Sequence, residues 1–216
     1  MSTILYLETN FIVGAALGRD KNAEALLQIS STYLQLALPS VSIMEAWSVF
    51  EDERRRRNAF RQTLNQQISQ LQRDETSPHA KALLQHLQQA YVENTDLLND
   101  VVNRLRDALS KLAGLQPGFS AAHLLSLTQE TFQNSLPAGP TKDPTDNLIL
   151  AIVLAHANEY PADEKVFLSG NIRDFQTPEI EALLSAAGIT RYFAQTQDFL
   201  GWFHAENQPN SKNNST

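Results

Sequence analysis

The sequence predicts an α/β fold: a three-layer α/β/α arrangement around a parallel sheet, with a large helical insertion. Two observations carry this. Short apolar runs of strand length, at residues 4–7, 36–38, 165–169 and 189–193, alternate with segments of helical spacing. Such alternation gives a parallel sheet covered by helices on both faces. Between about residues 51 and 135 the composition shifts to Gln, Arg, Leu and Ala. There the apolar residues recur at helical spacing with no strand signal, so this stretch reads as a helical insertion. The expected organisation is a single domain over 1–205, with a disordered polar tail at 206–216.

Each element has a local reason. After the first strand, Thr9 and Asn10 offer capping side chains for a helix that Gly18 can end, and a second helix is expected over about 22–33. Pro39 stops the second strand. Ser42 and Glu45 then have the spacing of a capping box opening the next helix. Leu64, Ile68 and Leu71, then Leu83, Leu84, Leu87 and Tyr91, then Val101, Leu105, Leu109 and Leu112, mark the insertion helices, with turns at Pro78 and Pro117. Asp143 and Pro144 open a strongly apolar helix, Pro taking the first position where its missing N–H costs nothing. Thr177 and Pro178 open another, closed by Gly188, and a last helix runs from about Gln197 to His204. Trp47 and Trp202 read as packing residues.

With 42% hydrophobic and 19% charged residues over 216 positions, the chain can bury a core that needs neither disulfide nor structural metal. The absence of cysteine excludes zinc–thiolate sites and thiol nucleophiles. A net charge of −7 argues against a module that holds nucleic acid chiefly by a basic surface, and suits a site built of carboxylates. The first residues lack the basic flank and long apolar run of a secretory leader, and no stretch approaches the roughly 20 apolar residues of a membrane span. The expectation is a cytoplasmic protein with no membrane contact.

In open parallel sheets the ligand site lies beyond the carboxyl ends of the strands. Five carboxylates fall near those ends: Glu8, Glu45, Asp143, Asp146 and Asp174. Together they suit one or two hard divalent cations, which take oxygen ligands and can activate water against a phosphate. Each also has a purely structural reading. Glu45 can complete a capping box, Asp143 can cap its helix, and Asp146 suits an acidic first turn. Asp174 can be a turn residue and Glu8 an exposed strand end. The arginine run Arg54, Arg55, Arg56 and Arg57, with Arg61, could touch substrate phosphates, but Glu51, Asp52 and Glu53 beside them also fit a solvated helix face.

Four segments resemble the motifs of the PIN-domain nucleases, in family order. Ile4-Leu5-Tyr6-Leu7-Glu8-Thr9-Asn10 is similar to the opening strand and its acidic end. Pro39-Ser40-Val41-Ser42-Ile43-Met44-Glu45 is similar to the second motif, Asp143-Pro144-Thr145-Asp146-Asn147 to the third, and Leu168-Ser169-Gly170-Asn171-Ile172-Arg173-Asp174-Phe175 to the fourth. Residues of about 51–135 lie outside the resemblance. It implies a magnesium- or manganese-dependent ribonuclease with Glu8, Glu45, Asp146 and Asp174 as catalytic metal ligands and Asp143 as a further ligand. Thr9, Asn10, Ser169 and Asn171 would be auxiliary. It also implies an RNA substrate and, as in family members that are toxins, an antitoxin or other protein partner; a homodimer is compatible. The family's first carboxylate is ordinarily Asp, and here it is Glu8. That departure and the net charge motivate the rival reading, a non-catalytic relative whose helical segment binds another protein. A second rival is a metal-dependent DNA nuclease or phosphatase.

Overall fold

The structure is a computed structural model that describes residues 2–29, 33–116, 118, 121–135, 139–161 and 163–207. Its centre is a five-stranded sheet of β1 (Thr3–Leu7), β2 (Leu34–Pro39), β3 (His123–Leu125), β4 (Glu164–Leu168) and β5 (Ile189–Phe193). The order is β3-β2-β1-β4-β5, and every neighbouring pair is parallel. All five residues of β1 are buried, as a central strand with both faces covered requires.

The two-residue period of the strands divides the core into two layers. Leu5 and Leu7 of β1, with Val166 and Leu168 of β4, face one apolar cluster, completed by Phe11, Ile12, Val101, Leu105 and Phe199. Ile4, Tyr6 and Phe167 face the other, completed by Ile149, Val153, Phe175 and Ile180. The first layer is built by α1 (Thr9–Ala16), α2 (Ala23–Leu27), the roots of α3 (Ser40–Leu71) and α4 (Pro78–Leu112), and α9 (Thr196–Asn207). The second is built by α6 (Pro144–Glu159), the short α7 (Ile172–Phe175) and α8 (Pro178–Ala186), while α5 (Gln129–Ser135) lies against α6. Lys165 ties this layer together. Its buried Nζ donates to the carbonyls of Ala157 and Ala187, at the carboxyl ends of α6 and α8, where helix dipoles favour a cation.

Several expectations need correction. The 51–135 stretch is not helical throughout, because β3 lies within it and pairs with β2 through Ala37↔His123, Leu38↔Leu124 and Pro39↔Leu125. Nor does anything separate it from the preceding motif. α3 runs unbroken from Ser40 to Leu71, and α4 returns to lay Val101, Leu105 and Leu112 into the core. The second helix spans only Ala23–Leu27, not 22–33; residues 30–32 lie outside the described ones. The Ser42–Glu45 capping box does not form. α3 begins at Ser40 with Pro39 as N-cap, which puts Ser42 inside the helix, its buried hydroxyl without a partner among the described residues. Trp47 packs edge to face on Phe50 of its own helix but is 42% exposed, outside the core. The tail expected from 206 begins later, since α9 runs to Asn207, and residues 208–216 lie outside the described part. Among the described residues no helix is long and apolar enough to cross a membrane.

Candidate active site

At the carboxyl end of β1 the chain turns directly into α1, and Glu8 is the residue at the junction. It is 2% exposed and caps α1 itself: Oε2 accepts from the Asn10 N–H at 2.9 Å. Its other oxygen, Oε1, accepts from the Ser169 hydroxyl at 2.9 Å, just past the end of the neighbouring strand β4. Ser169 is fixed in turn, because its Oγ accepts from the Asn171 N–H at 3.0 Å and its carbonyl accepts from the Tyr192 hydroxyl at 2.6 Å. Asn171 closes the chain of bonds by donating from Nδ2 to Asp146 Oδ2 at 3.1 Å. Adjacent strands thus bring together two carboxylates that stand far apart in sequence.

Thr9 extends the cluster on the other flank, its hydroxyl donating to Glu45 Oε2. With no capping box to complete, Glu45 projects from the second turn of α3 and is oriented by this bond. Asp143 does cap α6, as expected, its Oδ1 accepting from the Thr145 N–H at 2.7 Å. Asp174 sits in the short helix after β4, whose N-cap is Asn171.

Electrostatics couples these groups. Burial pushes Asp146 up to about 7, and the charges of Glu45, Asp143, Glu8 and Asp174 push in the same direction. Burial likewise raises Glu8 to about 7; hydrogen bonds from Asn10 and Ser169 oppose the shift, and Glu45 adds to it. The other four sequence candidates therefore all act on Asp146. Among the described residues no three acidic or histidine side chains form a ready-made metal cage.

A family model described as a PIN domain matches residues 5–175. The chain belongs to the PIN-domain family. The match runs through the helical stretch as well as the four acidic segments, so the long hairpin lies within the family region. No curated protein matches the sequence. Among solved structures, the PIN-domain chain is similar to one described as VapBC2 from Rickettsia felis bound to a DNA fragment from their promoter. The likeness covers 80% of this chain and 91% of that one at 12% identity, with a TM-score of 0.33.

The arginine run is placed differently from the acids. Arg54 pairs with Glu51 at 2.5 Å, Arg55 with Asp52, and Arg57 with Glu53 at 2.7 Å, all within one stretch of α3. At about 3.6 residues per turn, Arg54 falls opposite Glu45 on the helix, and the arginine that recurs on Glu45's side is Arg56. Arg56 makes no ion pair among the described residues. Tyr192 was not among the sequence candidates. It lies in a strand with no acidic motif, and its role at Ser169 follows only from the pairing of β4 with β5.

Proposed function

We propose that this rim is the catalytic centre of a divalent-cation-dependent endoribonuclease acting in the cytoplasm. The observation that carries the reading is Asp146, 6% exposed and under the repulsion of four other carboxylates. Carboxyl groups crowded out of water repel one another, and a cation relieves the conflict. The donor set is all oxygen, as magnesium or manganese prefers. Magnesium takes one or two carboxylates directly and keeps several waters, so it needs no three-ligand cage. Glu8, Glu45, Asp146 and Asp174 would hold the ion, with Asp143 at the edge. Bound there, the cation would supply Lewis-acid stabilisation of the phosphate and activation of water.

The protein's own part is orientation. Thr9 fixes Glu45, Asn10 and Ser169 fix Glu8, and Asn171 fixes Asp146. Asp146 Oδ1 is the oxygen that Asn171 does not engage, which leaves it for the ion.

The test is incubation of the purified chain with mixed RNA and DNA, with manganese, magnesium or a chelator. RNA should be cut internally with either cation and not with the chelator, and Asp146→Asn should abolish cutting. Cleavage that persists in chelator, or at parental rate in both Asp146→Asn and Asp174→Asn, would overturn the reading. One observation favours a non-catalytic relative: both oxygens of Glu8 already serve structure, one capping α1 and one holding Ser169. Glu8→Asp separates the two readings. Increased cleavage marks an enzyme with a displaced ligand, and continued inactivity marks a relative without catalysis.

A further inference from the structure

Beside the acidic rim lies a cavity of about 500 Å³, between the loop that follows α1 and the loop that joins β5 to α9. It adjoins the carboxylates directly. Asn10, whose N–H holds Glu8, and Gly170, next to Ser169, both line it. A Cβ added at Gly170 would meet Asn10 Cβ at 3.7 Å, so these two residues form the close seam between cavity and rim.

The cavity carries the opposite charge. Arg19 and Lys21 line it, both are exposed, and neither makes an ion pair among the described residues. The one acid in the lining, Asp20, is committed to structure. Its Oδ1 accepts from the Asn22 N–H at 2.9 Å, and its Oδ2 accepts from the Thr196 hydroxyl at 2.5 Å. These bonds pin the α1 loop across to the start of α9. The backbone N–H groups of Arg19 and Asp20 also donate to the Gly14 carbonyl, at 2.8 and 3.2 Å. The two cations therefore stand on a held loop, in a chain whose net charge is −7. Across the cavity, Gln195 and Gln197 present amides that can both donate and accept hydrogen bonds.

We propose that this cavity is a nucleotide subsite: it takes the unit of a single-stranded RNA next to the phosphate at the rim. Arg19 and Lys21 receive that unit's own phosphate, and the amides of Gln195 and Gln197 meet its base. The assignment to RNA rests on the nuclease reading above; the binding of a nucleotide does not. The volume lies within the range of about 300–1,000 Å³ usual for small-ligand sites, more than a lone phosphate needs. A cation at the rim attracts only the phosphate it meets, and the surrounding carboxylates repel the next one, so an adjoining pair of cations supplies the attraction for that next phosphate.

The test is the double variant R19Q/K21Q, which leaves every hydrogen bond of the loop backbone and of Asp20 in place. Adenosine 5′-monophosphate is titrated into the parent and the variant in chelator, followed by NMR at the Gln195 and Gln197 amides. The parent should show saturable shifts there, and the variant should lose them. RNA cleavage provides a second readout: KM should rise about tenfold at low salt with kcat held, and the salt slope should shrink by about 1.4 for two lost single-strand contacts. A parent that does not bind the nucleotide, or a variant that binds it equally well, overturns the subsite. The two readings fail separately. Cleavage without nucleotide binding leaves the nuclease and removes the subsite, whereas binding that depends on Arg19 and Lys21 without cleavage leaves the cavity's assignment and removes the nuclease.

Discussion

The root and the tip of the α3–α4 hairpin are continuous helix, yet they treat their side chains in opposite ways. At the root, Ala46 and Phe50 of α3 join Val101 and Leu105 of α4 in the core beside α1, and Glu45 is drawn toward Thr9 at the edge of the buried rim. Farther out, Phe60, Leu83 and Val92 are 52%, 49% and 50% exposed. Between them lies the densest charge in the sequence, Glu51 to Arg57, which resolves into local pairs three or four residues apart, Arg54–Glu51 and Arg55–Asp52 exposed and Arg57–Glu53 half-buried. The two exposed ones are the weak kind. Such pairs contribute about 0–1 kcal/mol because water screens them. Charge density along the chain therefore does not locate the site. Exclusion of water does, and Glu8 and Asp146, which stand in no charge run, are where protonation shifts to neutrality.

The largest expected effect that can break this comparison is catalytic. Asp146→Asn and Asp174→Asn should each lower cation-dependent RNA cleavage by about 10²–10⁴-fold, with an unchanged circular-dichroism spectrum. Packing should follow the same division. Leu105→Ala, at a side chain 1% exposed, should cost about 2–5 kcal/mol in denaturant unfolding, whereas Leu83→Ala at the tip should cost well under about 1 kcal/mol. Equal costs would mean that the tip is covered by something.

A smaller effect concerns pH. Glu8 and Asp146 bind protons more tightly in the folded chain than in the unfolded chain, where carboxyl groups titrate near 4. Their contribution to stability is therefore full below about pH 4 and is lost as pH rises toward 7. Metal-free protein should unfold at higher denaturant at pH 5.5 than at pH 8, and Asp146→Asn should flatten that dependence. The smallest effect is expected at the charge run. Arg54→Gln and Arg55→Gln should shift stability by no more than about 0.5 kcal/mol, an effect that vanishes in high salt, and should leave cleavage unchanged.

The layered fold was legible because β1, β4 and β5 carry uninterrupted strand signals and the helices between them have clear caps, as at Asp143 and Thr177. β3 was not legible: three residues with two of them exposed have neither the length nor the alternation of a strand, and only pairing to β2 makes them one. The candidate carboxylates could be listed from their positions after strands, but their connections could not. Ser42 and Glu45 have the spacing of a capping box, and only the true start of α3 at Ser40 shows that Glu45 is oriented by Thr9 instead. At Asp143 the structural and functional readings prove compatible, since one oxygen caps α6 while the charge still acts on Asp146. The Glu8–Ser169–Asn171–Asp146 chain crosses from β1 to β4 and exists only through their parallel pairing.

The claim at the centre of this account is that Glu8 and Asp146 hold protons near neutrality and that the rim carboxylates bind a cation together. The most direct measurement is calorimetric titration of manganese into the full chain at several pH values, in buffers of different ionisation enthalpy. A cation must displace the protons held by Glu8 and Asp146, so binding at pH 6 should release about one to two protons, falling toward none by pH 8.5. Asp146→Asn should weaken binding and reduce the release. Manganese that does not bind, or that binds at pH 6 with no proton release and equally well to Asp146→Asn, would contradict the account.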